Sequence, residues 1–250
     1  MFDFIDRIRP GKTCGIIPAR GGSKSVSLKN MHLLAGRPLI DNVIGAGKAS
    51  NKLMGLICST DHEGIAQRCR EFGISVHDRP PALAKDESRM DEVVIELLES
   101  IGLQEGVLPE AVALLMPTSP FVLPSHIDRC VDLLLSNPST NSVQTVTKMP
   151  HNYHAYNQRI VEDGRVRFAF PEERSQCHNK QSKPAFYVFG NIVVTRTASI
   201  LLHRGDLFAT PSMALEIDPV YALDVDTASD FAVAEWYISS GQVQPTVCRS

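Results

Sequence analysis

The chain has 250 residues, of which 43% are hydrophobic and 21% are charged, and its formal net charge is −3 at pH 7. This length allows one large domain with a well-buried core and a small accessory lobe. The slightly acidic balance offers no basic footprint, so we expect neither a nucleic-acid-binding nor a membrane-surface protein, and any positively charged site has to be local.

The six cysteines show no C-x-x-C spacing, which disfavours a zinc ribbon or a thioredoxin-type pair. Cys14 and Cys58 lie in apolar runs, so we expect buried, reduced core residues in a cytoplasmic protein. The first residues include Asp3 and Asp6 and no long apolar segment, and no run of about 18 apolar residues follows. We therefore predict neither a signal peptide nor a membrane span.

Short apolar runs alternate with amphipathic segments through the first 147 residues. The runs predict strands at 14–19, 53–60, 74–77, 111–119 and 142–147. Helical spacing predicts helices at 38–50, 62–73, 90–102 and 125–136. Strands that alternate with helices of this length predict parallel βαβ units, and hence a three-layer α/β/α sandwich with a mostly parallel, Rossmann-like sheet.

The predicted helices have recognisable ends. Pro38 suits a first helical turn, and Asp61 and Ser125 are candidate N-caps. Gly73 and Gly102 suit positions just beyond a helix C-terminus.

The alternation of strands and helices stops after residue 147. The segment 148–185 is polar, contains scattered aromatic residues and has a hairpin signal at Asp163-Gly164, so we predict a β-rich arm. A strand at 186–195, a helix at 196–204, a strand at 220–225 and a helix at 227–239 follow. Residues 12–147 and 186–240 would form one α/β domain, interrupted by the arm.

The segment "CGIIPARGGSKSVSLKN", residues 14–30, combines a strand with glycines and cations. Gly21 and Gly22 follow the predicted first strand, together with Arg20, Lys24 and Lys29. Glycines let a backbone approach an anion closely, and ligands of α/β sheets bind at the carboxyl edge of the strands. Neither the Walker A pattern nor G-x-G-x-x-G is present. A phosphate-binding loop and an ordinary solvated loop both remain open here.

Six sequence blocks, in the same order along the chain, resemble the cytidylyltransferases that make CMP-sialic acid and related CMP-sugars. "IIPARGGSKSVSLKN" is similar to the family's I-P-A-R-x-G-S-K-G-x-P-x-K-N, and "LLMPTSP" to L-L-Q-P-T-S-P. "DRPPALAKD" resembles R-P-x-x-L-A-x-D, and "ALDVDTASDFAVAE" resembles D-I-D-T-x-x-D-x-x-x-A-E. "LAGRPLI" and "ICSTD" complete the series, which spans residues 14–235.

Departures from the family pattern concentrate in the acceptor half. Ser25 and Ser27 replace a glycine and a proline of the first block, and Met116 replaces a glutamine. Phe189 and Asn191 stand where related enzymes have residues that grip the sugar acid. The resemblance is therefore good for the nucleotide half and poor for the acceptor half.

The resemblance implies attack by an acceptor hydroxyl on the α-phosphorus of CTP, with release of pyrophosphate. Arg20, Lys29, Asp224 and Asp226 would be the catalytic residues. The implied CTP-binding residues are Ala19, Arg20, Gly21, Gly22, Ser23, Lys24, Lys29, Asn30 and Arg79. A solvated loop lysine remains an alternative for Lys24, and a surface arginine remains one for Arg79.

Asp224 and Asp226 are the expected ligands of Mg²⁺. Side chains two apart on a strand face the same way, and hard divalent cations prefer carboxylate oxygens. The resemblance also places Mg²⁺ here. The alternative is that Asp226 caps the following helix.

The acceptor site is the least defined part of this interpretation. Its candidate residues are Met116, Thr118, Ser119, His151, Arg174, Lys183 and Tyr187, with Lys180 as another partner for the acid group. The expected acceptor is a sialic acid or another nonulosonate. A Kdo-like sugar, a phosphonate, or a catalytically silent nucleotide-binding protein remain alternatives. The arm and the resemblance also predict a homodimer, with the arm at the interface.

Overall fold

The computed structural model describes residues 8–23, 25–177, 179–203, 205–244 and 246. A seven-stranded sheet forms the centre of the molecule. In chain order, the strands of this sheet are β1 (Ile8–Pro18), β4 (Leu53–Thr60), β5 (Ser75–Asp78), β6 (Leu108–Leu115), β7 (Ser142–Lys148), β10 (Tyr187–Arg196) and β11 (Ser212–Glu216). Two small hairpins contain the remaining strands, β2 (Leu33–Leu34) with β3 (Arg37–Pro38) and β8 (Arg159–Glu162) with β9 (Arg165–Phe168).

Seven α-helices are found in the described ranges: α1 (Ile40–Lys48), α2 (Glu63–Glu71), α3 (Met90–Glu105), α4 (Pro124–Ser136), α5 (Pro171–Ser175), α6 (Thr197–Leu202) and α7 (Ala228–Ser239). None of the described helices is long and apolar enough to cross a membrane.

The strand order is β11-β7-β10-β6-β1-β4-β5. All neighbouring pairs are parallel except those of β10, which runs antiparallel to both β6 and β7. The prediction of a mostly parallel sheet is confirmed. Because β1, β4, β5 and β6 all run in one direction, the loops that follow them meet at one edge of the sheet.

The two faces of the sheet are covered by different helices. Ile16 and Ile17, neighbours on β1, are both fully buried but lie in separate apolar clusters. The Ile17 cluster contains residues of α1, α2 and α4, and the Ile16 cluster contains residues of α3 and α6. Alternation of side chains along a strand therefore produces the three-layer α/β/α sandwich predicted from the sequence.

Three predicted helix starts and one predicted end were wrong. Pro38 belongs to β3, and the N-caps of α2 and α4 are His62 and Leu123 instead of Asp61 and Ser125. Helix α3 continues past Gly102 to Glu105 and ends at Gly106, whose φ of 68° is the left-handed conformation that glycine adopts readily.

The predicted strand at 220–225 was also wrong. Residues Pro219–Ala222 form a 3₁₀ helix, in which the Asp218 side chain accepts a hydrogen bond from the Val220 N–H. The last strand of the sheet is instead β11, which was missed. It is an edge strand with only Leu215 buried, so its apolar signal in the sequence is weak.

The segment 148–185 leaves the sheet and returns to it. The hairpin predicted at Asp163-Gly164 is confirmed, and both residues have positive φ, 50° and 74°, as a two-residue type I′ turn requires. The arm otherwise consists of α5 and short 3₁₀ turns. The two ends of the arm are adjacent in the sheet, because Tyr187 at the start of β10 pairs with Lys148 at the end of β7.

Candidate active site

A cavity of about 340 Å³ lies at the sheet edge where β1, β5 and β6 end. Its lining combines the loop after β1, the loop after β5, the end of β6 and the segment before α7. Predicted site residues that line it are Arg20, Gly22, Ser23, Lys29, Asn30, Arg79, Met116, Thr118, Asp224 and Asp226. A larger cavity, about 660 Å³, lies between α3 and the β4–β5 edge, but Arg9 is its only lining Arg or Lys. The smaller cavity is therefore the better anion site.

Two hydrogen bonds hold the loop after β1 in place. The Asn30 side chain donates from Nδ2 to the carbonyl oxygen of Arg20 at 2.9 Å. The Gly21 N–H donates to Asp61 Oδ1 at 2.8 Å. Asp61 was predicted as a helix cap; it anchors the loop instead. The Gly21 N–H is thereby occupied, whereas the next two residues, Gly22 and Ser23, line the cavity.

The two glycines of this loop have different roles. A Cβ atom on Gly21 would lie 2.8 Å from Cβ and Cδ2 of His62, closer than any ordinary contact. A Cβ atom on Gly22 would have no heavy atom within 4 Å. Gly21 is therefore required by packing against His62, whereas Gly22 keeps the cavity side of the loop open for a ligand.

Two cations of the cavity, Arg20 and Lys29, are paired with carboxylates. Arg20 Nη1 lies 2.7 Å from Asp86 Oδ1, which joins the loop after β1 to the loop after β5. Lys29 Nζ lies 2.6 Å from Asp226 Oδ1, and the lysine side chain is only 12% exposed. These pairs balance the local charge. An anionic ligand would compete with Asp86 for Arg20 and with Asp226 for Lys29.

Asp224 and Asp226 face the same cavity, although they do not belong to a strand. The Val225 N–H between them donates to the Thr118 carbonyl oxygen at 2.8 Å, which fixes the segment against the end of β6. Partial burial in the cleft raises the pKa of Asp224, while a hydrogen bond with the Thr118 side chain opposes that rise.

The alternative that Asp226 caps α7 is wrong. Thr227 is the N-cap, and the Asp230 carboxylate accepts hydrogen bonds from the N–H groups of Asp226 and Thr227. These bonds lower the pKa of Asp230. The Asp226 carboxylate is left facing Lys29 and the cavity.

Asp224 and Asp226 are the residues that could hold a divalent cation. Two adjacent carboxylates supply hard oxygen ligands, and phosphate and water oxygens commonly complete the shell of Mg²⁺ at such sites. No group of three or more His, Cys, Asp or Glu side chains within the described ranges is arranged to hold a metal by itself. The pair therefore fits a cation that is shared with a phosphate ligand.

Arg79 is a buried cavity residue, so the alternative of a surface arginine is wrong. It is 6% exposed, and its Nη2 donates to the Ser59 carbonyl oxygen at 2.8 Å. Burial lowers the pKa of its guanidinium. No carboxylate of the described residues forms an ion pair with it.

The predicted acceptor residues fall into two groups. Met116 and Thr118 line the cavity, and Ser119 is buried in the adjacent turn. His151, Arg174, Lys183 and Tyr187 lie in or beside the arm and do not line the cavity. Arg174 Nη1 and Lys183 Nζ both donate to Asn157 Oδ1, each at 2.7 Å. Lys24 lies outside the described residues, as does the side chain of Lys180.

Sequence reasoning missed several cavity residues in the loop after β5: Leu83, Lys85, Asp86 and Ser88. The available signal was their position, since charged residues that directly follow a parallel strand are brought to the carboxyl edge of the sheet. The pairing of Asp86 with Arg20 had no signal in the sequence.

Comparison with known proteins agrees with this geometry. The family model described as "Cytidylyltransferase" matches residues 14–204. A CMP-N,N'-diacetyllegionaminic acid synthase of Legionella pneumophila is 31% identical over 225 residues, which are 88% of this chain and 93% of that protein. The N-acylneuraminate cytidylyltransferase A of Danio rerio is 29% identical over 94% of this chain and 53% of that protein. The chain thus spans about half the length of some curated relatives.

A similar fold occurs in a solved structure of CMP:2-keto-3-deoxy-manno-octonic acid synthetase complexed with CTP. The TM-score is 0.69 at 14% identity, with 92% of this chain and 99% of that chain covered. The fold is therefore that of a nucleotidyltransferase, with the cavity at the carboxyl edge of its sheet. By its match to the family model, the chain belongs to the cytidylyltransferase family.

The two glycines provide a matched test of the loop. We expect Gly21→Ala to lower the free energy of unfolding by about 1–3 kcal/mol, because the new methyl group overpacks against His62. Gly22→Ala should leave it within about 0.5 kcal/mol of the wild type. Urea denaturation followed by circular dichroism measures both, and equal losses in the two variants would contradict the role given to His62.

Proposed function

We propose that the protein is a CTP-dependent cytidylyltransferase, which transfers CMP from CTP to an acidic sugar of the nonulosonate class and releases pyrophosphate. The observation that supports this most is one cavity that holds Arg20, Lys29, Asp224 and Asp226, in a chain of the cytidylyltransferase family. Two cations and two carboxylates at the carboxyl edge suit a metal-bound triphosphate.

In this proposal, Arg20 and Lys29 bind the triphosphate and stabilise the negative charge that develops as pyrophosphate departs. The acceptor hydroxyl attacks the α-phosphorus, the bond between that phosphorus and the bridging oxygen breaks, and the hydroxyl proton passes to solvent or a nearby base. Asp224 and Asp226 would hold Mg²⁺, which would supply charge neutralisation of the phosphate oxygens. The protein contributes position and electrostatics, without a covalent intermediate.

The nonulosonate acceptor is supported by the similarity of the chain to a CMP-N,N'-diacetyllegionaminic acid synthase and to N-acylneuraminate cytidylyltransferases. The local geometry keeps a second acceptor class open, such as a Kdo-like sugar or a phosphonate. Asn191 is fully buried, and its Nδ2 donates to the Tyr221 carbonyl oxygen, so it supports the fold and does not face the cavity. Phe189 is 40% exposed and packs on Phe208, so it offers no charge to an acid group.

We also propose that the reaction takes place in the cytoplasm. Cys14, Cys58, Cys69 and Cys130 are free and buried, which fits a reducing compartment.

The function is tested by pyrophosphate release from CTP, UTP, ATP and GTP with a panel of acidic acceptors. We expect much higher turnover with CTP than with ATP or GTP, because Arg79 lines the cavity and offers directional hydrogen bonds to a pyrimidine. Legionaminic and sialic acids should be the best acceptors. Comparable turnover with ATP would contradict the nucleotide assignment, and CTP binding without turnover on any acceptor would favour a silent homologue.

The metal assignment is tested by Asp224→Asn and Asp226→Asn. Each change keeps the size of the side chain and removes a negative charge, so we expect turnover at limiting Mg²⁺ to fall about 100-fold or more, comparable to losing one strong electrostatic stabiliser. Asp132→Asn, an exposed carboxylate paired with Lys52 on the outer surface, should retain wild-type turnover. Near-normal rates in both site variants at limiting Mg²⁺ would show that these residues do not bind the metal.

We further propose a homodimer in which the arm forms part of the interface and the acceptor site. Val161 and Val166, paired across the arm hairpin, are 68% and 64% exposed, and Tyr153 is 68% exposed. Apolar side chains grouped in this way are typical of a surface that is covered by a partner. A two-fold arrangement would bury the arm twice.

Light scattering at micromolar concentration tests this proposal. We expect about twice the chain mass of 27.5 kDa for the wild type, and a shift towards monomer for Val161→Lys combined with Val166→Lys. Leu103→Lys, at an equally exposed apolar residue on α3, is the matched control and should not change the mass. A wild-type particle of 27.5 kDa would rule out the dimer.

A further inference from the structure

Arg79 is held by a polar network that connects it to β4, β5 and α3. Its Nε donates to Ser59 Oγ at 3.3 Å, and Ser59 is fully buried on β4. Ser59 Oγ also lies 3.3 Å from His77 Nδ1, on the neighbouring strand β5. On the far side of the ring, His77 Nε2 lies 3.2 Å from Glu96 Oε2 on α3. The four side chains thus form one row that starts at the cavity, crosses the neighbouring strands β4 and β5 and ends at α3.

The donors and acceptors of this row are compatible with one direction of hydrogen bonding, from Arg79 through Ser59 to His77. Arg79 has only N–H donors, so Ser59 Oγ accepts from it and is free to donate its own proton to His77 Nδ1. The His77 proton is then on Nε2, facing Glu96. Glu96 Oε2 is buried and accepts no hydrogen bond from the described residues, so its 3.2 Å approach to His77 Nε2 is an electrostatic contact that favours a proton on that nitrogen.

The row matters because no carboxylate among the described residues pairs directly with Arg79. Its Nε and Nη2 are both held by Ser59, through the hydroxyl and the carbonyl oxygen. No hydrogen bond from Nη1 to a described residue is formed, and Arg79 lines the cavity. Without the Ser59 hydroxyl, the buried guanidinium would keep only the hydrogen bond from Nη2 to the Ser59 carbonyl oxygen, and it could rotate about that bond.

We infer that Ser59 and His77, with Glu96 behind them, are positioning residues that orient the Arg79 guanidinium for the base or phosphates of CTP. This inference rests on the proposed binding of CTP in this cavity. Ser59 and His77 do not touch the ligand in this arrangement and act only through Arg79. Preorganisation of a donor in this way lowers the ordering that binding would otherwise require.

The decisive test is a double-mutant cycle on CTP binding, measured by isothermal titration calorimetry with CTP and Mg²⁺. We expect Ser59→Ala to weaken binding about tenfold, the scale of one hydrogen bond to a charged group. In the Arg79→Ala background the same change should have no further effect, because the residue through which Ser59 acts is gone. Additive losses would show that Ser59 acts by another route and would overturn the inference.

Ser142→Ala is the matched control. Ser142 is also fully buried on a strand, but it lies at the amino end of β7, and its hydroxyl bonds to Ala209 and Ser212. Both substitutions should lower thermal stability by a similar amount, whereas only Ser59→Ala should change CTP affinity. An equal loss of affinity in Ser142→Ala would mean that general destabilisation is the cause.

A second pair of variants tests His77 without changing Ser59. His77→Asn places an amide oxygen close to the Nδ1 position and should retain most of the CTP affinity. His77→Leu has no acceptor there and should weaken binding to about the same extent as Ser59→Ala. Equal CTP affinities of the His77→Asn and His77→Leu variants would contradict the positioning role of His77.

The outcomes also separate this inference from the proposed function. If the wild type binds no CTP, the proposed function is wrong and the inference fails with it. If Arg79→Ala binds CTP as the wild type does, the nucleotide role of Arg79 is wrong. If Arg79→Ala weakens binding and Ser59→Ala does not, the proposed function stands and only the positioning role is wrong.

Discussion

The proposed triphosphate site has to gather cations before the ligand arrives, and gathered cations repel one another. The cavity meets this constraint with two carboxylate partners, Asp86 for Arg20 and Asp226 for Lys29. Coulomb attraction at such distances is strong in a partly buried cleft, so each pair holds a flexible cationic side chain in one region of space. The loops that supply these residues are thereby tied together across the edge of the sheet.

The pairs also explain why the cavity draws on distant parts of the chain. Lys29 and Asp226 are separated by 197 positions in sequence, and they meet because the segment before α7 is pinned to the end of β6. The fold brings the ends of the parallel strands to one edge of the sheet. The ion pairs and the hydrogen bond from Gly21 to Asp61 then fix the conformations of the loops at that edge. The same few side chains therefore balance the charge of the cavity and hold its loops in position.

Elements that depend on local burial patterns could be predicted from the sequence, whereas contacts between distant segments could not. Strands such as β1 and β6 are buried runs, and burial leaves a periodic apolar signal that can be read locally. The edge strand β11 buries only one side chain, and the segment 219–222 is apolar enough to resemble a strand although it forms a 3₁₀ helix. The four predicted catalytic residues, Arg20, Lys29, Asp224 and Asp226, were brought together in the cavity. The contacts of Asp61 with Gly21 and of Asp86 with Arg20 could not be assigned, because contacts between loops leave no pattern in the sequence.

The antiparallel strand β10 has a consequence for how such a protein can diversify. Because Tyr187 pairs with Lys148, the arm leaves and re-enters the sheet at adjacent points, so it forms a closed insertion on a fixed base. An insertion whose ends already meet can change in length or sequence at little entropic cost to the sheet. Evolution can then replace the arm and leave the cavity intact. Such a separation allows one scaffold to acquire a new surface by exchange of a single segment.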